Sequence, residues 1–200
     1  MCGRYIPNTE EEIMEIREIL RAISVRLSQS EIEITPKKDD DVFPTDVVPI
    51  ILMQNGEPAV QMVKWGFAKW DGKGVIINAK SENAASSRFF APFVNHYRCV
   101  IPAHGYYEWK TLPDKTKIKF SFTNEQGGGI FMAGLYRVTN EGKEFVILTK
   151  PADDNITDIH DRMPVMLNKE QLSAWLDGSV KYQLINTGNA YRMIPNPTAS

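Results

Sequence analysis

Between residues 47 and 149 the chain is cut into short runs of β-branched, aromatic and alternating apolar residues, separated by turn-forming pairs. VVPIILM (47–53) and AVQMVKWG (59–66) flank QNGEP, and its Asn55-Gly56 pair is a tight-hairpin signal. VIINA (75–79), YRCVI (97–101), KIKFSF (117–122), GIFMAGLYRV (129–138) and EFVILT (144–149) read as further strands, with turns at Gly127–Gly129 and Asn140–Gly142. Pro49 and Pro58 are expected to blur the strand ends, because proline cannot donate to a ladder. Closely spaced strands in hairpin order, with few helices, predict an α+β fold: one domain over 1–200 with a largely antiparallel sheet curled toward a barrel.

Two helices flank this pattern. Residues 9–28 are amphipathic, with Ile13, Ile16, Leu20, Ile23 and Leu27 at helical spacing and a Thr9–Glu12 capping box. A second helix is predicted from about 168 to 177, capped by Asn168 with Gln171 at its third position, and with Leu172, Trp175 and Leu176 facing inward. Residues 29–41 read as a polar surface loop, and the polar tail from 186, with two prolines, as surface chain.

No apolar run is long enough to span a bilayer, and the N-terminus lacks the basic-then-apolar order of a secretory signal, so a cytoplasmic protein is expected. Two cysteines make no disulfide framework, and His96, His104 and His160 show no metal-ligand spacing. With a net charge of −2, any nucleic-acid binding must use a local basic face.

Cys2 stands out by position. Its bland role is a small buried hydrophobe. If Met1 is removed, however, Cys2 carries an amine and a thiol on adjacent carbons. An α-amine has a pKa of roughly 7.7–8, so part of it is neutral at pH 7 and can attack an aldehyde. The thiol can then close the Schiff base into a five-membered thiazolidine. Alternatively, the thiolate attacks an amide with the α-amine as base.

Other stretches offer partners for that chemistry. In IPAHGYYEWK (101–110), Glu108 sits among Tyr106, Tyr107 and Trp109; it is either desolvated and suited to proton transfer or a solvent-facing strand residue. In DIHDRMP (158–164), His160 lies between two aspartates, with Arg162 close by; a carboxylate orients its ring, or it is simply solvated. Asn78, in INAKSE (77–82), either donates its amide to substrate or orients Cys2, or makes a strand-end turn. Arg4, Lys80, Arg88 and Arg98 can attract anions and favour a deprotonated thiol. KWGFAKW (64–70) either stacks bases and holds phosphates or packs as core and hairpin, the core role suiting Trp65 better than Trp70.

MCGRY, VFPT (42–45), KWGF (64–67), INAKSE, SSRFF (86–90), CVIPAHGYYEW (99–109) and DIHDRMPVML (158–167) occur in this order over residues 1–167, and together they resemble the SOS-response-associated peptidase (SRAP) domain family. The resemblance implies that a processed Cys2 traps abasic sites in single-stranded DNA as a Schiff base and then a thiazolidine. It implies that Asn78 positions the cysteine or sugar. Glu108 would transfer protons, also in self-removal of Met1, and His160 would assist ring opening and hold the sugar or its phosphate. Arg4, Pro44, Trp70, Lys80, Arg88, Trp109 and Thr149 are carried over as DNA-facing. Neither cofactor nor metal is implied, a monomer is expected, and its nucleoid association would follow damaged DNA. Three positions depart from the family pattern: Lys80 for arginine, Asp40-Asp41 for Tyr-Asn, and His104 for aspartate. The main rival is an N-terminal-nucleophile glutaminase, which would also begin Met-Cys-Gly, although its usual His-Arg-Gly-type loop is missing here.

Overall fold

In the computed structural model, residues 2–23, 41–180, 182 and 190–198 are described. Met1, residues 24–28 with Leu27, residues 29–40 of the expected surface loop with Asp40, and residues 183–189 lie outside the described residues. The elements in order are β1 (Tyr5–Ile6), α1 (Glu10–Ile23), β2 (Val47–Gln54), β3 (Glu57–Trp65), β4 (Phe67–Ala68), β5 (Val75–Ile76), β6 (Asn78–Lys80), α2 (Ser81–Ala84), α3 (Ala91–Val94) and β7 (Arg98–Ala103). They continue with β8 (Gly105–Thr111), β9 (Lys117–Asn124), β10 (Ile130–Thr139), β11 (Gly142–Pro151), α4 (Asp154–Thr157), β12 (Arg162–Pro164), α5 (Lys169–Leu176) and β13 (Met193–Pro197).

Local signals place several of these elements. Asn55 and Gly56 both take positive φ, as a two-residue turn between β2 and β3 requires. The Thr9 hydroxyl accepts from the Glu12 amide, and the Glu12 carboxylate accepts from the Thr9 amide, closing the capping box of α1. Asn168 and Gln171 form the same reciprocal cap on α5, which buries Leu172, Trp175 and Leu176. Pro49 and Pro58 lie inside the ladder rather than blurring its ends. β7 pairs with β2 only at Ile51 and Leu52, so at Pro49 the strand has a partner on one side, a setting that tolerates a missing donor.

The strands β10, β7, β2, β3 and β11 pair in that order, and β10 pairs again with β11, closing a five-stranded barrel in an α+β fold. All barrel pairings are antiparallel except β3 with β11, so the barrel is mixed. β6 also joins β11 in parallel. Period-two alternation divides the core. Ile51, Val100, Val146 and Leu148 pack with the α1 and α5 side chains. Ile50, Leu52, Ile101, Phe145 and Ile147 pack instead with Cys2, Tyr5, Tyr106 and Phe122. A four-stranded sheet, β1-β8-β9-β13, supplies the last three of these residues. β13 differs from the expected surface tail: Met193 is buried, and Pro195 and Pro197 sit on an edge strand paired to β9.

This sheet carries the N-terminus to the site, because Tyr5 and Ile6 register with Tyr106 and Gly105. Gly105 is required there: a Cβ would lie 2.3 Å from the Phe122 carbonyl oxygen. Gly105→Ala is therefore expected to destabilise the protein by about 1–3 kcal/mol, the range for forced overpacking, read as a lower denaturant midpoint. An unchanged midpoint would show that the contact relaxes without cost.

Candidate active site

Cys2 is fully buried, three residues before the β1–β8 pairing. Its carbonyl accepts a 2.8 Å hydrogen bond from the Asn78 side-chain amide, at the start of β6. Parallel pairing of Asn78 with Ile147 fixes that strand against the barrel. Asn78 is itself buried, and among the described residues its Oδ1 has no hydrogen-bond partner, leaving an acceptor beside Cys2. The Cys2 thiol lies 3.6 Å from the Arg4 carbonyl. Burial pushes the thiol well above its ordinary pKa, and the nearby Glu108 carboxylate adds to the rise.

Glu108 lies two residues after Tyr106 on β8, and both side chains are buried; Glu108 is 2% exposed. The solvent-facing alternative for this glutamate is thus excluded by its burial. Loss of solvation raises its carboxyl pKa to about 7, so both protonation states are available near neutrality. His160 reaches it from the turn between α4 and β12, with Nε2 3.7 Å from Glu108 Oε2.

The surroundings of His160 favour one neutral tautomer. The Arg162 backbone N–H donates to Nδ1 at 3.0 Å, which makes Nδ1 an acceptor and leaves the proton on Nε2, toward Glu108. Desolvation lowers the His160 pKa. When the ring is protonated, Nδ1–H has the exposed Asp161 carboxylate at 3.0 Å. A cavity of about 310 Å³ opens here, lined by Glu108, Trp109, Thr111, Lys117 and His160. Glu108 and His160 thus line this space, while Cys2, held by Asn78, lies buried close enough to the Glu108 carboxylate to feel its charge. Among the described residues, no group of three or more His, Cys, Asp or Glu side chains could hold a metal ion.

The other residues singled out in the sequence are distributed unevenly. The Arg4 guanidinium lies 4.4 Å from the Phe43 ring centroid and 5.4 Å from that of Trp109, and 3.5 Å from Asp41. Pro44 follows Phe43 and is half-buried. Lys80 is exposed opposite Thr149 in the β6–β11 register. Thr149 itself is fully buried; its carbonyl and hydroxyl accept from Arg162 at 2.7 and 3.2 Å. Trp70, 98% exposed between β4 and β5, and Arg88, exposed between α2 and α3, project into solvent. Trp65 and Phe67 are core residues. Arg98 serves packing elsewhere, donating to the carbonyls of Val94 and Val180.

Arg162 is a positioning residue whose partners were not evident from the sequence. Its guanidinium holds Glu82 through two bonds, at 2.5 and 2.9 Å, and also the Thr149 carbonyl. It thereby ties the His160 segment to α2 and β11. Asp41, one of the departures from the family pattern, is charge-paired, since Arg4 and Lys119 lie 3.5 and 3.6 Å from its carboxylate. His104 pairs with Glu12 at 2.8 Å, joining α1 to the β7–β8 turn.

Residues 1–193 match the family model described as "SOS response associated peptidase (SRAP)". The abasic site processing protein YedK of Escherichia coli (strain K12) is 32% identical over 183 residues, covering 88% of this chain and 79% of YedK. The abasic site processing protein YoqW of Bacillus subtilis (strain 168) is 31% identical over 188 residues, covering 88% of this chain and 80% of YoqW. Two crystal structures share the fold. A phage-related protein from Bordetella bronchiseptica has a TM-score of 0.75 at 23% identity, covering 98% of this chain and 94% of that one. A protein from Bacteroides thetaiotaomicron has a TM-score of 0.76 at 20% identity, covering 99% and 92%.

Arg162→Lys keeps the charge but cannot reproduce the fork to Glu82 together with the Thr149 bond. We expect a loss of about 1–3 kcal/mol by chemical denaturation. The Arg162 hydrogen bond is the main cause of the lowered Glu82 pKa. The stabilisation linked to Glu82 is therefore present above its unfolded pKa near 4.5 and lost as pH falls through the folded value. In Arg162→Lys the Glu82 carboxyl should titrate closer to 4.5 by NMR; an unmoved titration would assign the shift to another group.

Proposed function

The chain belongs to the SOS response-associated peptidase family, and from that membership we propose that it captures abasic sites in single-stranded DNA through Cys2. The carrying observation is the convergence of a second-position cysteine, clamped by Asn78, with a buried carboxyl poised near pH 7 and a histidine facing it.

Met1 lies outside the described residues and must leave first. Water hydrolyses the Met1–Cys2 amide, releasing methionine and the Cys2 α-amine, with Glu108 transferring protons. The ring-opened abasic deoxyribose presents an aldehyde. The neutral amine adds to its carbon to give a carbinolamine. Protonated Glu108 donates to the departing hydroxyl, water leaves, and an imine forms. The thiol then adds to the imine carbon; a C–S bond forms and the thiol proton passes to nitrogen. The overall change is aldehyde plus aminothiol giving thiazolidine plus one water. His160 assists ring opening and holds the sugar or its phosphate, and Asn78 Oδ1 is available to a hydroxyl of the sugar.

The electrostatics favour this over glutamine hydrolysis. A cysteine amidohydrolase needs an accessible thiolate, which calls for cations around the sulfur. Here burial and the Glu108 carboxylate both hold the sulfur protonated. Ring closure onto an imine begins from a thiol and suits that environment.

In this reading Arg4, Pro44, Trp70, Lys80, Arg88 and Trp109 face the strand, with cations for phosphates and apolar groups that unstack the lesion. Thr149 acts from behind them by fixing Arg162 near Lys80. The protein acts as a monomer.

Adduct formation on an abasic oligonucleotide, followed on denaturing gels, is expected to give a bell-shaped pH–rate profile. The rise reflects the amine, at roughly 7.7–8. The fall reflects deprotonation of Glu108, whose pKa is raised to about 7. Glu108→Gln should remove the alkaline fall and slow the reaction about 10²-fold or more, and glutamine should release no ammonia. An unaltered profile in Glu108→Gln would sink the proton-transfer role. Glutaminase turnover without an adduct would replace the reading itself.

A further inference from the structure

The cavity that holds Glu108 and His160 has a cation on its rim. Lys117, the first residue of β9, lines the same cavity as Glu108 and His160. It stands opposite Thr111 in the β8–β9 register and is exposed. Lys115 lies at the tip of this hairpin, with φ of +70°, an uncommon conformation for a residue other than glycine. The tip is pinned: the Lys115 amide donates to the Leu112 carbonyl, and Asp114 accepts from the Thr116 amide at 2.9 Å. The acid at the hairpin tip is therefore turned into its own backbone.

Charge pairing separates these lysines from their neighbours. Lys119, on the same hairpin, lies 3.6 Å from Asp41 and 3.8 Å from the Tyr107 ring centroid. Among the described residues, Lys115 and Lys117 have no ion pair. A chain of net charge −2 that binds a polyanion needs such a local concentration of uncompensated cation.

We propose that the β8–β9 hairpin is a phosphate-binding arm, in which Lys117 takes the phosphodiester flanking the sugar in the Glu108–His160 cavity and Lys115 takes a phosphodiester further along the same single strand. The arm rests on the abasic-site reading for the identity of that sugar. Its own chemistry requires only a single-stranded phosphodiester chain. It supplies sequence-independent affinity and sets on which side of the lesion the strand must continue.

The test is equilibrium binding of an undamaged single-stranded oligonucleotide across a salt series, for the full-length protein and for Lys115→Gln/Lys117→Gln. Lys143→Gln, at the opposite end of β11 from Thr149, serves as the control. Each phosphate neutralised on a single strand contributes about 0.7 to the salt slope, so the double variant should lose about 1.4. At 0.1 M salt that corresponds to roughly ten- to thirty-fold weaker binding. Thermal midpoints should not move, because both side chains are exposed. Equal slopes and affinities for wild type and double variant would overturn the arm, as would an equal loss in Lys143→Gln or no strand binding by the wild type. Adduct formation is read separately on an abasic strand. A slope difference without any adduct would keep the arm and reject the capture reading; an adduct with unchanged slopes would do the reverse.

Discussion

A hydrogen bond from the Asn78 amide to the Cys2 carbonyl ties the start of the chain to a barrel-associated strand 76 residues later. Without a clamp of this kind a cysteine at the second position would sample many orientations, as chain termini commonly do. Two pairings complete the clamp: β1 on β8, and β6 on β11. The first aligns Cys2 with the strand that carries Glu108. The second places Asn78 on the framework that also carries Thr149. The barrel thus turns a terminal residue into a fixed one, which is what a reaction between an amine, a thiol and one carbon atom requires.

Burial then decides which chemistry the clamped residue can support. The same apolar surroundings that hold Cys2 raise the pKa of its thiol and that of Glu108. For the thiol this opposes thiolate chemistry. For the carboxyl it produces a group able to give and take a proton near pH 7. His160 is held at the edge of this environment by a backbone donor on Nδ1. Arg162 closes the arrangement from the other side through Glu82 and Thr149. One low-polarity region therefore tunes two groups in directions that agree with imine and thiazolidine formation.

Much of the fold was legible locally. The capping boxes at Thr9 and Asn168 and the Asn55-Gly56 turn depend on residues within a few positions of one another, and each forms as the sequence implies. Contacts distant in sequence were not legible. The edge strand β13 was hidden by its prolines, which read as surface chain until β9 provides an edge that needs no donor from them. The parallel contact of β3 with β11 follows from barrel closure, which no local pattern announces. At the site, Glu108 could be read as buried or exposed until the fold placed it beside Cys2. Motif resemblance drew attention to Cys2, Asn78, Glu108 and His160 together, whereas periodicity did not. The Arg162–Glu82 fork spans 80 residues, and the burial of Thr149 follows from that same packing. The partners of Asp41 were equally hidden: Arg4 and Lys119, distant in sequence, balance its charge in three dimensions.

The central claim is that the processed Cys2 bonds covalently to the aldehyde of an abasic site. Intact mass spectrometry tests it most directly, on protein mixed with a single-stranded oligonucleotide bearing one abasic site and with the same strand lacking it. The expected species equals the protein without Met1, plus the abasic strand, minus one water, and is absent from the undamaged strand and from Cys2→Ala. Protein shown to have lost Met1, yet unchanged in mass after incubation with the abasic strand, would contradict it.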